Sequence, residues 1–224
     1  MADLQALKQA VIEGDHESSV KLTKQAVEEG TDPLVIFRQA LVPGMDIVGR
    51  KMQDEEYYIP EVLLAVKAMK GAAEIVRPLL VNHPDAQPTG RVVLGTVTGD
   101  LHDVGKNLVG MMLEGGGFEI IDLGTNVSPD KFVAAARDRK ADIIALSALL
   151  TTTMVNMRDV MKALEAAGLR PEVKVMIGGG AVTQRFADEI GADGFSPDAA
   201  GATVLAKGWV TARQSPLVRP VPQS

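Results

Sequence analysis

The stretch Gly-Asp-Leu-His-Asp-Val-Gly-Lys-Asn occupies residues 99–107. It follows a short apolar run, 92–97, and precedes an amphipathic stretch at about 104–115, as a loop between a strand and a helix does. Ser-Ala-Leu begins at residue 147, after 41 intervening residues (106–146), and Gly-Gly begins at residue 178, after 28 more (150–177). Each of these segments also follows an apolar run. Because the carboxyl ends of parallel strands meet at one edge of a sheet, we expect the three segments to form one ligand site.

Short runs rich in β-branched residues alternate with helical stretches through the second half of the chain. The predicted strands are 92–97, 118–123, 142–146, 173–177 and a short one near 193–195, and the predicted helices are roughly 104–115, 129–139, 153–167, 183–190 and 199–212. Strict alternation of this kind predicts an α/β fold, a doubly wound, mainly five-stranded parallel sheet of Rossmann-like type.

The first half of the chain has helical periodicity instead. Gly14 ends a first helix, Asp15 caps a second, and Thr31 or Asp32 caps a third. Pro60 lies in the first turn of a fourth helix at about 60–80, so this half predicts a four-helix bundle. A polar, proline-rich segment at 82–90 separates the halves. We therefore predict a helical cap domain at 1–88, a second domain at 89–213 and a disordered tail at 214–224.

Composition excludes several classes of function. The chain has 224 residues, no cysteine and a formal net charge of -6. Disulfides, thiolate zinc sites and iron–sulfur clusters therefore lack their ligands, and an acidic chain is not expected to bind nucleic acid. No apolar run reaches membrane-spanning length and the first residues lack a secretory pattern, so we expect no membrane partner and a cytoplasmic location.

His102 is the residue with the clearest chemistry. A neutral imidazole is a good transition-metal ligand, and its second nitrogen commonly donates to a carboxylate, for which Asp100 is placed. The alternative is a loop histidine beside a capping aspartate. A P-loop is disfavoured because no Gly-Lys-Ser/Thr follows residues 178–180, and the glycines at 95, 99 and 105 do not fit the dinucleotide fingerprint.

Asp-x-His-x-x-Gly, then Ser-x-Leu, then Gly-Gly, at these spacings, resembles the cobalamin-binding signature of methionine synthase and of small corrinoid methyl-shuttle proteins. The resemblance covers about residues 3–212. It implies a corrinoid bound base-off, with His102 as the lower cobalt ligand and Asp100 hydrogen-bonded to it. It also implies that Thr153 completes a catalytic relay with Asp100 and His102, at a position where methionine synthase carries serine.

The same resemblance implies how the rest of the cofactor is held. Gly105, Gly178, Gly179 and Gly180 line a slot for the displaced nucleotide tail, with Ser147 and Thr151 hydrogen-bonding it. Met52 and Ile59, from the helical half, cover the upper face of the corrin. The implied cofactor-binding set is completed by Gly99, Leu101, Asp103, Val104 and Leu149.

Function follows from the resemblance as an expectation. Cobalt cycles between methyl-Co(III) and Co(I), so the chain carries a methyl group from a substrate-specific methyltransferase to a second methyltransferase that acts on tetrahydrofolate or a thiol coenzyme. A reductive activator is a third expected partner. The chain is a carrier component of a methyltransferase system rather than a complete enzyme, and methanol, methylamines, betaines and methoxylated aromatics all remain open as donors.

Three other functions compete with this one. The first alternative is a cobalamin-dependent sensor or regulatory protein, which shares the fold but normally adds a DNA-binding or signalling segment. The second is the small subunit of a carbon-skeleton mutase, which generally lacks the helical cap. The third is a cofactor-free adaptor.

Overall fold

The computed structural model describes residues 3–80, 83 and 87–214. Its first part is helical, with α1 at Leu4–Glu13, α2 at His16–Glu28, α3 at Pro33–Ile36, a π-helical turn at Phe37–Leu41, α4 at Val42–Gln53 and α5 at Ile59–Leu80. The four predicted helices are present, because α3, the π turn and α4 form one continuous third helix. The second helix ends at Glu28, with Glu29 as its C-cap and Gly30 next in the left-handed conformation, with φ of 78°.

Local sequence signals explain where these helices begin and end. Asp3, Asp15 and Asp32 each accept a hydrogen bond from a backbone N–H of the first turn that follows them. Gly14 closes α1 in the left-handed conformation, with φ of 71°. The π turn ends at Leu41, two residues before Pro43, whose ring would clash with the carbonyl group four residues earlier in a regular α-helix.

The second part alternates strands and helices. The strands are β1 at Arg91–Thr96, β2 at Glu119–Asp122, β3 at Ile143–Ser147, β4 at Lys174–Gly178 and β5 at Gly194–Phe195. The helices are α6 at Val104–Gly115, α7 at Pro129–Asp138, α8 at Thr151–Met154, α9 at Met157–Ala166, α10 at Gln184–Ile190 and α11 at Ala199–Gln214.

Two predicted boundaries are wrong. The single helix expected at 153–167 is two helices, α8 and α9, because the backbone N–H of Asn156 donates three residues back, to Thr153 O, and breaks the α-helical pattern, while its side chain donates to the carbonyl oxygen of Thr98. Gln214, predicted to begin the tail, is the last residue of α11. The predicted tail from residue 215 onward lies outside the described residues.

The five strands form one parallel sheet in the order β2-β1-β3-β4-β5. The order reverses between β1 and β3, so the crevice at their carboxyl ends is the expected place for a ligand. Thr96, Ser147 and Gly178 are register partners across β1, β3 and β4. The loop that carries His102, the Ser-x-Leu segment and the glycine segment therefore leave the sheet side by side, which confirms the fold prediction.

The helical part packs against α6 and α11 of the sheet part. Met112 of α6 belongs to the same buried cluster as Met45 of α4. Glu114 of α6 pairs with Lys70 and Arg77 of α5, at 3.1 and 2.8 Å. These apolar and charged contacts fix how the helical part lies beside the sheet. None of the helices in the described part of the chain is long and apolar enough to span a membrane.

Candidate functional site

His102 lies on the loop between β1 and α6. Its Nδ1 donates to Asp100 Oδ1 at 2.8 Å, and its backbone N–H donates to the same oxygen at 3.0 Å. The imidazole is 52% exposed, whereas the Asp100 side chain is fully buried. With Nδ1 committed to the carboxylate, Nε2 is the ring nitrogen that can bind a metal.

Asp100 accepts hydrogen bonds on both carboxylate oxygens. Besides the two donors of His102, Asp100 Oδ2 accepts from Leu149 N at 2.8 Å and from Thr153 Oγ1 at 2.5 Å. Burial acts to raise the pKa of Asp100, but the hydrogen bonds from Thr153, His102 and Leu149 outweigh it and hold that pKa well below its usual range. Asp100 is therefore a carboxylate at neutral pH, and the three residues expected to form the relay are in contact.

Three residues that the sequence does not mark as functional hold this loop from outside. Asn126 Oδ1 accepts from Gly99 N at 2.8 Å, and its backbone N–H donates to the carbonyl oxygen of Asp100 at 3.0 Å. Asn156 Nδ2 donates to Thr98 O at 2.8 Å, and Thr96 Oγ1 donates to His102 O at 2.9 Å. The loop is thus fixed by hydrogen bonds from the strand that precedes it and from two segments far away in the chain.

A cavity of about 330 Å³ adjoins His102 at the carboxyl edge of the sheet. Nine predicted cofactor-binding residues line it: Met52, Ile59, His102, Gly105, Ser147, Leu149, Gly178, Gly179 and Gly180. The helical part contributes Met52 and Ile59, so both parts of the chain contact one space. Residues 196–199, which run from the end of β5 to the first residue of α11, also line the cavity and were not predicted.

Four glycines shape this cavity, and they do so in two ways. Gly179 has φ of +121°, and a Cβ there would lie 2.0 Å from Ala148 O, so the backbone requires glycine. A Cβ at Gly180 would lie 2.9 Å from Leu149 Cδ1, and one at Gly178 would lie 3.0 Å from Ser196 O. Gly105 differs, because a Cβ there would have no protein atom within 4 Å. The open space at Gly105 leaves room for a ligand.

Lys106 is a further residue of the cavity wall that was not predicted. Its side chain is buried, and its ammonium donates to Asp122 Oδ2 at 2.5 Å and to Asn107 Oδ1 at 2.7 Å. A buried lysine is rare unless it is paired, and this pair joins the first turn of α6 to the end of β2. No local pattern in the sequence marks the pair, because its two residues are on different elements.

The other predicted residues lie around the cavity rather than in its wall. Asp100 accepts from His102, and Thr153 donates to Asp100 in turn. Gly99 belongs to the same loop with φ of 81°, and Asp103 occupies the N-cap position of α6 without a side-chain capping bond. Leu101, Val104 and Thr151 are exposed side chains.

A larger depression, of about 880 Å³, lies between the helical part and β2. Its lining includes Phe37, Arg77, Glu114 and Glu119. It reaches the end of β2 at Asp122, but its lining includes neither His102 nor the ends of β1, β3 and β4, so the chemistry favours the smaller cavity as the functional site.

The donor set restricts how a metal can be held. Within residues 3–80, 83 and 87–214, no group of three or more His, Cys, Asp or Glu side chains is placed to hold a metal ion. One exposed imidazole with a buried carboxylate behind it cannot build a metal site alone, but it can supply one axial ligand to a metal that a macrocycle already holds. The site therefore fits a metal that arrives inside an organic cofactor.

Comparisons with known proteins agree with this geometry. A family model described as a B12 binding domain matches residues 90–204, and a second model with the same description matches residues 3–77. Corrinoid protein DSY3155 of Desulfitobacterium hafniense is 41% identical over 208 residues, which cover 92% of this chain and 96% of that protein.

Two further relatives are informative. Trimethylamine corrinoid protein 2 of Methanosarcina acetivorans is 40% identical over 196 residues, or 87% of this chain and 90% of that protein. A chain in the crystal structure of the methanol:cobalamin methyltransferase complex MtaBC from Methanosarcina barkeri is 30% identical, with a TM-score of 0.82 over 93% of this chain and 79% of that one. The chain belongs to the family of corrinoid proteins built around a B12-binding domain.

Proposed function

We propose that the chain binds a corrinoid base-off, with His102 as the lower axial ligand of cobalt, and carries a methyl group on it between two methyltransferases. One observation carries the proposal: a half-exposed imidazole, secured through Nδ1 by a buried carboxylate, lies at the wall of a glycine-lined cavity. An imidazole held in this way presents Nε2 in one orientation, as an axial ligand requires. The cofactor supplies the chemistry of methyl transfer, and the protein supplies the ligand and the enclosure.

Each part of the site has a task in this proposal. Asp100 keeps His102 in the tautomer that presents Nε2, and Thr153 and the Leu149 N–H keep Asp100 ionised and in place. The cavity between Gly105 and residues 178–180 receives the nucleotide tail once its base has left the cobalt. Ser147, at the end of β3 and in the cavity wall, lies where a hydroxyl can hydrogen-bond that tail.

The helical residues 1–88 serve as a cap in this proposal, and residues 89–213 as the domain that binds the cofactor. Met52 and Ile59 line the same cavity as His102 although they come from α4 and α5. Apolar side chains shield a reactive metal centre from water, and methionine adapts to irregular surfaces. Transfer to a partner enzyme then requires the cap to move aside.

The relatives indicate the class of partner. One is named a trimethylamine corrinoid protein, and another forms part of a methanol:cobalamin methyltransferase complex. We propose a substrate-specific methyltransferase as the donor enzyme and a methyltransferase using tetrahydrofolate or a thiol coenzyme as the acceptor enzyme. A reductive activator returns the cofactor to its active state after accidental oxidation.

Visible spectroscopy of the reconstituted protein tests the ligand and the cofactor together. The purified chain is loaded with hydroxocobalamin beside His102→Ala and a control, His16→Ala, which removes an imidazole from α2. We expect the wild type and the control to retain the corrinoid with a histidine-coordinated spectrum, and His102→Ala to lose that spectrum. A wild-type protein that retains no corrinoid would refute the proposal.

Methyl carriage needs a separate assay. The Co(I) form of the loaded protein is incubated with a candidate methyltransferase and its methylated substrate, and formation of the methylated cofactor is followed by absorbance. Methylation that depends on both the enzyme and this chain supports a carrier. A chain that binds the cofactor tightly but is methylated with none of the methanol- or methylamine-specific enzymes would favour a sensor over a carrier.

A further inference from the structure

Thr96 is a buried polar residue beside the site, distinct from the Asp100, His102 and Thr153 relay. It is the last residue of β1 and is fully buried. Its backbone N–H donates to Gly124 O and its carbonyl accepts from Val127 N, both at 2.9 Å. Its hydroxyl donates to the carbonyl oxygen of His102 at 2.9 Å. Thr96 therefore connects the sheet directly to the main chain of the residue proposed to bind cobalt.

This bond differs in kind from the other bonds that His102 makes. The backbone N–H and Nδ1 of His102 both donate to one oxygen of Asp100, which lies on the same loop. These two bonds orient the ring and reach the sheet only through Asp100, which accepts from Leu149 N and Thr153 Oγ1 after β3. The bond from Thr96 instead joins the main chain of His102 directly to β1, an interior strand that is paired on both sides.

Building on the proposed role of His102, we propose that Thr96 is a positioning residue that sets the distance of the His102 imidazole from cobalt. The loop contains Gly99 at φ of 81°, and Gly105 follows it, so hydrogen bonds rather than backbone stiffness must hold it in place. A metal–ligand bond tolerates only about 0.2 Å of displacement. A main-chain anchor also persists when the ring leaves the metal, so the ligand returns to the same place.

A purely structural role is the alternative, since any buried hydroxyl needs an acceptor. Thr23 offers a matched control for that role. It is also fully buried, and its hydroxyl donates to the Ser19 carbonyl at 2.7 Å within α2. Thr23→Val removes the same chemical group from a place remote from His102, so the cost of losing a buried hydroxyl is common to both variants.

The experiment compares the Co(II) forms of whole chains loaded with hydroxocobalamin and then reduced. Wild type, Thr96→Val, Thr96→Ser and Thr23→Val are studied by electron paramagnetic resonance, in which a coordinated histidine nitrogen splits the cobalt lines. The midpoint potential of the Co(II)/Co(I) couple is measured on the same samples, and unfolding is followed in parallel.

We expect Thr96→Val to lower the ratio of histidine-bound to histidine-free Co(II) by about fivefold to tenfold, because without the anchor the free loop must be ordered again when the imidazole binds cobalt, at a cost of about one hydrogen bond. A tenfold change corresponds to a shift of about 59 mV to less negative potential, because the histidine stabilises Co(II) and not Co(I). Thr96→Ser, which keeps the hydroxyl, restores the wild-type ratio. Thr23→Val leaves ratio and potential unchanged.

If the folded, loaded Thr96→Val variant has the wild-type ratio and the wild-type potential, the inference is overturned and the Thr96 hydroxyl has a structural role only. Thr96→Ala is a second variant without the hydroxyl, and it places no methyl group against the His102 carbonyl. It is expected to shift the ratio in the same direction, and a wild-type ratio in it would equally overturn the inference. Absence of nitrogen splitting in the wild type would instead refute His102 as the ligand, a failure of the proposed function itself.

Discussion

Substitutions at Gly105 are expected to affect the stability of the fold and the binding of the cofactor in different ways. It is the second residue of α6 and lines the cavity, and a Cβ there would meet no protein atom within 4 Å. Glycine in a helix costs up to about 1 kcal/mol relative to alanine, so packing of the protein alone gives no reason for it. A ligand that approaches the helix closely gives one.

Gly105→Leu should therefore change stability and binding in opposite directions. The free energy of unfolding of the cofactor-free chain is expected to rise by about 0.5–1 kcal/mol, because leucine is a strong helix former and here has open space. Affinity for hydroxocobalamin is expected to fall about 10-fold to 100-fold, since forcing extra methylene groups into an occupied space costs about 1–3 kcal/mol. Gly105→Ala should show both effects in weaker form.

Gly208 supplies the matched control. It lies within α11 and is exposed, and a Cβ added there would likewise meet no atom within 4 Å. Gly208→Leu is expected to raise stability similarly and to leave affinity unchanged. Urea unfolding and titration with hydroxocobalamin, followed by absorbance, measure the two quantities. Wild-type affinity in Gly105→Leu would refute the placement of the cofactor in this cavity, and a large loss of stability would refute the open space.

Three other substitutions test the electrostatics and the backbone. Burial acts to raise the pKa of Asp100, but its hydrogen bonds lower that pKa by more than burial raises it. The ionised carboxylate therefore stabilises the fold at pH values above the ordinary pKa of 3.8, and this contribution is lost as pH falls through the lowered pKa. Asp100→Asn should thus lower the free energy of unfolding by about 1.5–3 kcal/mol at pH 7, and by less in urea titrations below about pH 4; an equal loss at every pH would contradict this. Glu114→Gln should cost about 0.5–1 kcal/mol, less at high salt, and a salt-independent cost would argue against an ion-pair effect. Gly179→Ala should destabilise the chain in thermal unfolding by more than Gly191→Ala, whose φ of 74° is also positive but whose Cβ would meet nothing within 4 Å; equal losses would show that the close contact is relieved easily.

The fold is largely predictable because its signals are local. Buried parallel strands are short β-branched runs, and each predicted strand begins or ends within one or two residues of the observed one. The interruption between α8 and α9 is not predictable in this way. It depends on the bond from Asn156 to Thr98, and nothing in the helical periodicity of 153–167 signals a partner so far away in the chain.

The site likewise contains residues that the sequence predicts and residues that it does not. The motif singles out His102 and Asp100, and the structure joins these two residues, two positions apart, by a hydrogen bond. Thr96, by contrast, looks like an ordinary strand residue in the sequence, and Asn126 looks like an ordinary loop residue. The role of Asn126 comes from contacts that exist only once β1 and the segment after β2 lie side by side, and the role of Thr96 comes from the way the following loop folds back over the end of β1.

The arrangement of the strand ends explains how one edge of the sheet can hold His102, the proposed cobalt ligand, and still leave space for a large cofactor. Hydrogen bonds to the His102 loop come from the ends of β1, β2 and β3, through Thr96, Asn126 and Thr153. Open space comes mainly from the ends of β3, β4 and β5, through the glycines at 178–180 and residues 196–199, and also from Gly105 in the first turn of α6. In the strand order β2-β1-β3-β4-β5, the hydrogen bonds therefore lie on the β2 and β1 side of β3, and most of the cavity wall lies on the β4 and β5 side. Substitutions after β2 should therefore alter coordination of the metal, whereas substitutions after β4 should alter how tightly the cofactor is held.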